Sequence, residues 1–158
     1  MELIKNLKEV SLIKNLFLAI LGTILLAISA KIKIPFWPVP MTMQTFVVLL
    51  LGVAYGWKLG LFTVSLYLLE GIAGLPVFAG TPEKGLGLVY FTGPTMGYLI
   101  GFLVAVFLTG FFTFNNNFFK NFIKLIFSVS FIYLLGLLWL GSIIGWEKPV
   151  FELGAQPF

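Results

Sequence analysis

The stretch MQTFVVLLLGVAYGWKLGLFTVSLYLLEGIA, residues 43–73, is an apolar run interrupted near its middle by Gly-Trp-Lys at 56–58. Each apolar part, 43–55 and 59–73, is shorter than the roughly 20 residues that a membrane-spanning helix needs. The stretch therefore forms either a tight hairpin of two short helices or one long helix with a break. Because glycines flank the lone Lys58, we favour the hairpin.

The composition places the whole chain in a membrane. Of 158 residues, 59% are hydrophobic and 10% are charged, with a mean hydropathy of +1.06. A soluble domain carries about 25% charged residues, so this chain could not cover a water-exposed surface. We expect one integral membrane domain over residues 1–158.

Several classes of function are excluded by what the sequence lacks. It contains no Cys and no His, so it offers no zinc site, no Cys nucleophile and no Ser-His triad. It also has no Walker A motif and no carboxylate pair, and we therefore expect no catalytic residue, no metal and no hydrolysis of ATP by the chain itself. All ten basic residues are lysines scattered between apolar runs, which indicates loop charges beside lipid and not a nucleic-acid site.

The rest of the chain predicts a helix bundle. Further apolar segments cover 13–30, 94–114 and 122–146, after a polar start, 1–11, that we expect to be a short interfacial helix. Long runs without alternation exclude a barrel, so the fold class is an all-α, polytopic transmembrane bundle with five spans. The lysines divide six to four between the two sides, which places the N-terminus in the cytoplasm by the positive-inside rule. The inner six are Lys5, Lys8, Lys14, Lys58, Lys120 and Lys124, and the outer four are Lys31, Lys33, Lys84 and Lys148.

Two long apolar loops lie on the predicted outer side. Residues 31–45 contain three prolines and 74–94 contain several glycines, so neither is expected to be regular. Loops longer than about 12–15 residues are usually functional when they are ordered. The pair therefore suggests a lid over a cavity, and the alternative is that their aromatic residues anchor in the lipid headgroup layer.

The stretch GPTMGYLIG, residues 93–101, carries two different signals. Small residues recur every four positions, which is typical of a helix face where neighbouring helices approach closely. Its opening instead predicts a helix start with Pro94 at the first helical position, where unpaired N–H groups could face a cavity. The stripe comprises Gly93, Gly97, Gly101, Ala105 and Thr109, and hydroxyls near the helix start come from Thr92, Thr95 and Tyr98.

Other polar or small residues each have two possible interpretations. Thr42 and Gln44 could hydrogen-bond a ligand or could simply begin the second helix. Glu70 is the only acid inside an apolar run, and it is either functional or a wet group near a segment end. In the first segment, the residues Ala19, Thr23, Ala27 and Lys31 lie four apart and form either a face for a partner helix or an ordinary packing face.

Taken in order, IPFWPVPMTMQTFVVLLLGVAYGWKLG, LYLLEGIAGLPVFAG and GPTMGYLIGFLVA resemble the BioY family. This family comprises the biotin-specific substrate-binding subunits (S components) of energy-coupling factor (ECF) transporters. The resemblance covers about residues 27–107, and YLLGLLWL at 133–140 fits the family's fifth helix. Met96 stands where the family usually has glycine.

The resemblance implies a biotin importer subunit of the plasma membrane. Family members have six helices, bind biotin on the outer side under the first and third loops, and work with a membrane coupling protein and two cytoplasmic ATPases. Biotin is then the transported ligand, no cofactor is involved, and the chain is not an enzyme. The implied docking face is Ala19, Thr23 and Ala27. The candidate substrate-binding residues are Thr42, Gln44, Phe78, Thr92, Gly93, Pro94, Thr95 and Tyr98.

The family pattern continues into a sixth helix whose start carries an Asp and a Lys that contact the substrate. The sequence ends at Gly-Ala-Gln-Pro-Phe, 154–158, before such a pair. We therefore expect five spans of a six-helix pattern: the chain is either truncated or a fragment, or the protein binds biotin weakly or not at all. Two other functions stay open: an S component for another small vitamin, and a membrane fragment without transport activity.

Overall fold

The computed structural model describes residues 2–34, 41–114 and 116–145. In these residues the protein is a helical bundle with one very short strand pair. The prolines and aromatic residues of the first predicted loop, and the chain beyond residue 145, lie outside the described residues. The elements in chain order are α1 (Glu2–Lys31), β1 (Lys33–Ile34), β2 (Met41–Thr42), α2 (Gln44–Ile72), α3 (Leu88–Phe91), α4 (Met96–Phe111) and α5 (Phe118–Ile144).

The helix α2 is the hairpin that the sequence predicts. Gly56 has φ 74° and ψ 174°, a conformation that glycine adopts without a Cβ penalty, and the chain reverses there. A Cβ on Gly60 would lie 3.7 Å from the Cα of Gly52, although residues eight apart in a straight helix are about 12 Å apart. The arms 44–55 and 57–72 therefore pack against each other, and the prediction of a hairpin is confirmed.

Other predicted boundaries are wrong in informative ways. The polar start is not a separate interfacial helix, because α1 is continuous from Glu2 to Lys31. The first loop is not wholly irregular, since Lys33 pairs with Thr42 and Ile34 with Met41 in an antiparallel ladder. The second loop contains the one-turn helix α3. Local backbone hydrogen bonds in both loops thus satisfy groups that would otherwise be costly near lipid.

Among the described residues, three helices are long and apolar enough to cross a membrane, namely Ser11–Lys31, Gln44–Ile72 and Phe118–Ile143. The 16 residues of α4 are apolar but fewer than the usual spanning length. Since α2 is folded into two arms, the described residues contain five apolar helical segments: α1, the two arms of α2, α4 and α5. This agrees with the predicted all-α bundle and its five segments.

The small-residue stripe of α4 contacts two different helices. A Cβ on Gly101 would lie 2.6 Å from the Cα of Ile132 in α5. Further along, the Cβ of Thr109 would lie 2.7 Å from a Cβ on Gly52 in α2. A spacing of four residues advances about 40° per step round a helix of 3.6 residues per turn, so the stripe winds from one neighbour to the next. α4 is consequently the central helix, packed between α2 and α5.

Candidate functional site

A chain of hydrogen bonds links the start of α2 to the second loop. The Thr42 hydroxyl donates to the side-chain oxygen of Gln44 over 3.2 Å, and the Gln44 amide nitrogen donates to the Tyr67 hydroxyl over 2.6 Å. Tyr67 in turn donates to the carbonyl oxygen of Val77 over 2.8 Å. The hairpin makes this possible by bringing Gln44 beside the second arm. Because Gln44 is 4% exposed, these bonds replace those that its amide would make with water.

Phe78 lies at the centre of an aromatic cluster next to that chain. Its ring stacks on Tyr90 at 4.7 Å between centroids and meets the edges of Tyr67 at 5.2 Å and Phe91 at 5.5 Å. The ring also fills the space that a side chain at Gly71 would occupy. Phe78 is 1% exposed, so this predicted ligand contact is an interior residue here.

Tyr90 connects the aromatic cluster to the start of α4. Its hydroxyl donates to the carbonyl oxygen of Ala79 over 2.9 Å, and the Thr95 side chain lies close enough to interact with it. Thr95 precedes the first residue of α4. We call the residues joined by these contacts the loop cluster: Thr42, Gln44, Tyr67, Val77, Phe78, Ala79, Tyr90 and Thr95.

Lys31, the last residue of α1, reaches the same loop from another side. Its Nζ donates to the carbonyl oxygens of Phe78 at 3.0 Å and Thr81 at 2.9 Å, and to the Thr81 hydroxyl at 3.1 Å. The three acceptors are uncharged oxygens, one for each ammonium hydrogen. The end of α1 is thereby tied to residues 78–81.

The start of α4 differs from the prediction. Pro94 lies two residues before the first helical residue, Met96, in a turn in which the Met96 N–H faces the Gly93 carbonyl at 3.5 Å. The same carbonyl accepts a hydrogen bond from the Trp139 indole of α5 over 3.0 Å. The placement of Pro94 at the first helical position is therefore wrong. Gly93 is joined to α5.

Tyr98 also faces α5. Its ring meets Tyr133 edge-on at 6.3 Å and covers Gly136, whose missing side chain leaves the space. Gly97 lies directly against the backbone of Leu135. We call this contact the α4–α5 seam, and its residues are Gly93, Gly97, Tyr98, Gly101, Ile132, Tyr133, Leu135, Gly136 and Trp139.

An apolar groove of about 250 Å³ runs beside the α4–α5 seam. Its lining residues are Gly97, Ile100, Leu135, Leu138, Trp139 and Ser142. Its wall is almost entirely hydrocarbon, so it offers few groups that could orient a polar ligand. The polar groups that could do so belong to the loop cluster.

Thr92 and Glu70 lie outside both groups. Thr92 is exposed, and its hydroxyl donates to the carbonyl oxygen of Val89 within its own turn. Glu70 is half-buried two residues before the end of α2, which suits a group near the membrane surface. Of the predicted substrate-binding residues, the loop cluster thus contains Thr42, Gln44, Phe78 and Thr95. Gly93 adjoins it through a backbone hydrogen bond to Tyr90, and Thr92, Pro94 and Tyr98 are not among its residues.

The predicted docking face on α1 is turned inward. Ala19 and Thr23 are 0% and 2% exposed, and Ala27 is half-buried. Between them, a Cβ on Gly22 would overlap Thr63 of α2, so α1 and α2 approach closely on this side. In this structure these residues follow the second alternative, an ordinary packing face within the chain, and their docking role stays a prediction. The spacing of small residues indicates close helix packing but not the identity of the neighbour.

Lys33 and Lys84 lie close enough to each other for their charges to interact. Partial desolvation of the Lys84 ammonium, and then the nearby charge of Lys33, lower the pKa of Lys84 below its ordinary value. Both lysines lie in the predicted outer loops. Two like charges close together favour an anionic group near them.

Sequence reasoning missed the residues that connect the site. Tyr67 and Tyr90 bridge the loop cluster, and Lys31 and Trp139 bind loop or turn carbonyls from distant helices. A tyrosine or tryptophan in an apolar run is a weak signal, because its polar tip needs a partner only when it is buried. The hairpin at Gly56 was the available clue, since it brings Gln44 and Tyr67 side by side.

Comparison with known structures defines the class of this fold. The protein superposes with a TM-score of 0.70 and 32% sequence identity on the crystal structure of an S-component for biotin from an ECF-type ABC transporter. The match covers 84% of this chain and 74% of that one. The bundle, with its folded-back second helix and central α4, is thus an S-component fold.

The sequence narrows this class to one family. Residues 4–158 match the BioY family, and the chain belongs to it. It is 38% identical over 151 residues to the "Probable biotin transporter BioY" of Pyrococcus horikoshii, covering 96% of this chain and 85% of that protein. It is also 44% identical over 86 residues to the "Biotin transporter BioY" of Thermotoga maritima, an alignment that spans 54% of this chain and 49% of the relative. These relatives are named as transporters and not as enzymes, in agreement with the sequence prediction.

Proposed function

We propose that this protein is the biotin-capturing S component of an ECF-type vitamin importer. The observation that carries the proposal is membership of the BioY family together with a fold shared with a biotin S-component. The absence of any ATP-binding motif from the sequence fits a subunit that captures substrate and leaves energy supply to partners. The relatives also argue against an S component for another vitamin, because those at 38% and 44% identity are both named for biotin.

The loop cluster is the proposed biotin site. A ureido ring needs both donors and acceptors, and Gln44, Thr42 and Thr95 offer them at one end of the bundle. Apolar and aromatic walls for the bicyclic ring would come from Phe78 and its neighbours. In the structure these groups bond to one another, so biotin would bind by exchanging bonds within the cluster for bonds to itself.

The carboxylate of biotin would lie toward the outer lysines. Lys33 and Lys84 would supply a positive potential, and the depressed pKa of Lys84 would rise again beside an anion. This assigns the two ends of the ligand different surroundings: neutral hydrogen bonds for the ureido group and a cationic rim for the carboxylate.

The partners follow from the class of transporter. We infer a membrane coupling protein and two cytoplasmic ATPases, with the S component in the plasma membrane and its N-terminus in the cytoplasm. A coupling protein that used Ala19 and Thr23 would have to displace contacts with the chain's own helices, since both side chains are buried. The predicted docking role of these residues therefore requires a rearrangement of α1.

A binding titration tests the function. The purified protein in detergent or nanodiscs is titrated calorimetrically with biotin, and then with riboflavin, thiamine and folate as competitors. Saturable binding of biotin that the other vitamins do not displace is expected. Displacement by another vitamin, or no heat above that of a biotin-free control, would reject biotin as the substrate.

A further inference from the structure

The loop that carries Phe78 is held by its backbone carbonyls. Four carbonyls within residues 77–81 accept hydrogen bonds from side chains of three different helices. Tyr67 of α2 binds Val77, Tyr90 of α3 binds Ala79, and Lys31 of α1 binds Phe78 and Thr81. In a loop near lipid, backbone carbonyls need hydrogen-bond donors from the protein itself. These four carbonyls receive them from side chains outside residues 77–81.

Lys31 differs from the two tyrosines in what it connects. It reaches across 47 and 50 positions of sequence to bind the loop at two residues at once. Thr81 completes a closed triangle, because its hydroxyl accepts from Lys31 and donates to the Phe78 carbonyl over 2.7 Å. Hydrogen bonds from a charged donor are stronger than those between neutral groups. Removing the ammonium would leave the carbonyls of Phe78 and Thr81 without their tie to α1.

The triangle lies directly behind the proposed ligand wall. The Phe78 carbonyl that Lys31 binds belongs to the residue whose ring stacks on Tyr90 and covers Gly71. Any movement of residues 78–81 away from α1 would therefore withdraw the ring from the aromatic cluster. The end of α1, outside the ligand contacts themselves, is thus one of the points that hold this wall in place.

We propose that Lys31 is a positioning residue for substrate capture. It holds residues 77–81 against the bundle, so that the Phe78 wall is preformed and a bound ligand leaves slowly. This rests on the proposed biotin function, but the state of the loop can be measured without any ligand. The role is distinct from ligand contact, because the Lys31 ammonium uses its three donors on the loop.

The test compares Lys31→Met with Lys31→Arg and with Lys14→Met. Methionine keeps much of the length of the side chain but removes the donors, arginine keeps the charge and donors, and Lys14→Met removes an exposed charge from the same helix without touching the triangle. Amide hydrogen exchange of the ligand-free proteins is measured for residues 77–85 and for α4. In parallel, the dissociation and association rates of radiolabelled biotin are measured.

For Lys31→Met we expect exchange in residues 77–85 to accelerate about tenfold or more, with α4 unchanged, as suits the loss of hydrogen bonds to a charged donor. Biotin dissociation should accelerate by a similar factor while association changes less. Lys31→Arg should keep exchange and dissociation close to those of the wild type, and Lys14→Met should match the wild type. Unchanged exchange in residues 77–85, or acceleration spread equally over α4, would overturn the proposal. If the wild type bound no biotin, the proposed function would fail while the exchange result still decided the role of Lys31.

Discussion

The loop cluster and the α4–α5 seam are built on opposite principles. In the loop cluster, side chains such as Gln44 and Tyr67 make the contacts, and their hydrogen bonds end on loop carbonyls. In the seam, glycines bring two backbones together, and Gly97 touches the backbone of Leu135. The first kind of contact can be exchanged for contacts to a ligand. The second cannot, because it depends on the absence of side chains.

This difference decides what each predicted site residue does. Tyr98 and Gly93 lie in the same nine-residue motif as Thr95, yet they serve the seam, whereas the Thr95 side chain interacts with Tyr90. Substitutions in the seam should therefore lower stability, with any loss of binding following from it. Substitutions in the loop cluster should lower biotin affinity more than they lower stability.

The largest effect is expected for Gly97→Ala. The new methyl group would overlap the Leu135 backbone, which cannot move without shifting α5, so the free energy of unfolding should fall by about 3 kcal/mol or more. Thermal melting in detergent measures the loss. Ile100→Ala on an exposed face of the same helix is the control and should cost less. Equal melting temperatures for Gly97→Ala and the wild type would mean that the seam is looser than the structure indicates.

Tyr67→Phe is the sharpest probe of the loop cluster. It removes a hydroxyl that accepts from Gln44 and donates to Val77, and leaves the buried Gln44 amide and the half-buried Val77 carbonyl without this partner. Biotin affinity should fall by about 2 kcal/mol, roughly 30-fold, since the proposed site loses two hydrogen bonds, worth about 1 kcal/mol each, that hold Gln44 in position for the ligand. Isothermal titration measures the affinity.

Tyr55→Phe is the matched control for that substitution. Its hydroxyl donates to the carbonyl of Leu18 over 3.0 Å, away from the loop cluster, so the variant should lose some stability and keep its affinity. If both tyrosine variants weakened biotin binding equally, the loop cluster would have no special role in binding.

The sequence predicted helices more reliably than it predicted their contacts. The hairpin followed from the two glycines that flank Lys58, and Gly56 does adopt the positive φ that makes the turn. The sequence did not predict which neighbour the small-residue faces would contact. A face of Ala19 and Thr23 packs equally well on a partner protein or on α2, and pattern alone does not distinguish them. The hydrogen bond of Lys31 to Phe78 joins residues 47 positions apart, and that of Tyr67 to Val77 joins residues 10 positions apart. Both depend on how the segments fold back on one another.

Thr23→Leu tests whether this side of α1 is packed against the chain's own helices. Thr23 is 2% exposed and lies beside the close contact of Gly22 with α2, so a larger side chain should overpack that interface. The free energy of unfolding should fall by about 1–2 kcal/mol. Thermal melting of the isolated subunit is the measurement, and Thr23→Val, which nearly keeps the volume, is the control. A Thr23→Leu protein that melted like the wild type but failed to assemble with the coupling protein would contradict this packing and would support a docking face on α1.

The smallest effect distinguishes two threonines three residues apart. The Thr95 side chain interacts with Tyr90 within the loop cluster, whereas Thr92 is exposed and its hydroxyl bonds within its own turn. Thr95→Ala should therefore weaken biotin binding by about 1 kcal/mol, roughly fivefold, the usual value of one hydrogen bond. Thr92→Ala should change it less than about twofold, because water can replace its exposed hydroxyl. Isothermal titration with biotin, under conditions in which both variants are equally folded, measures the difference. Equal losses for the two threonines would show that the helix start as a whole faces the ligand, and the boundary between seam and loop cluster would then have to move to include Thr92.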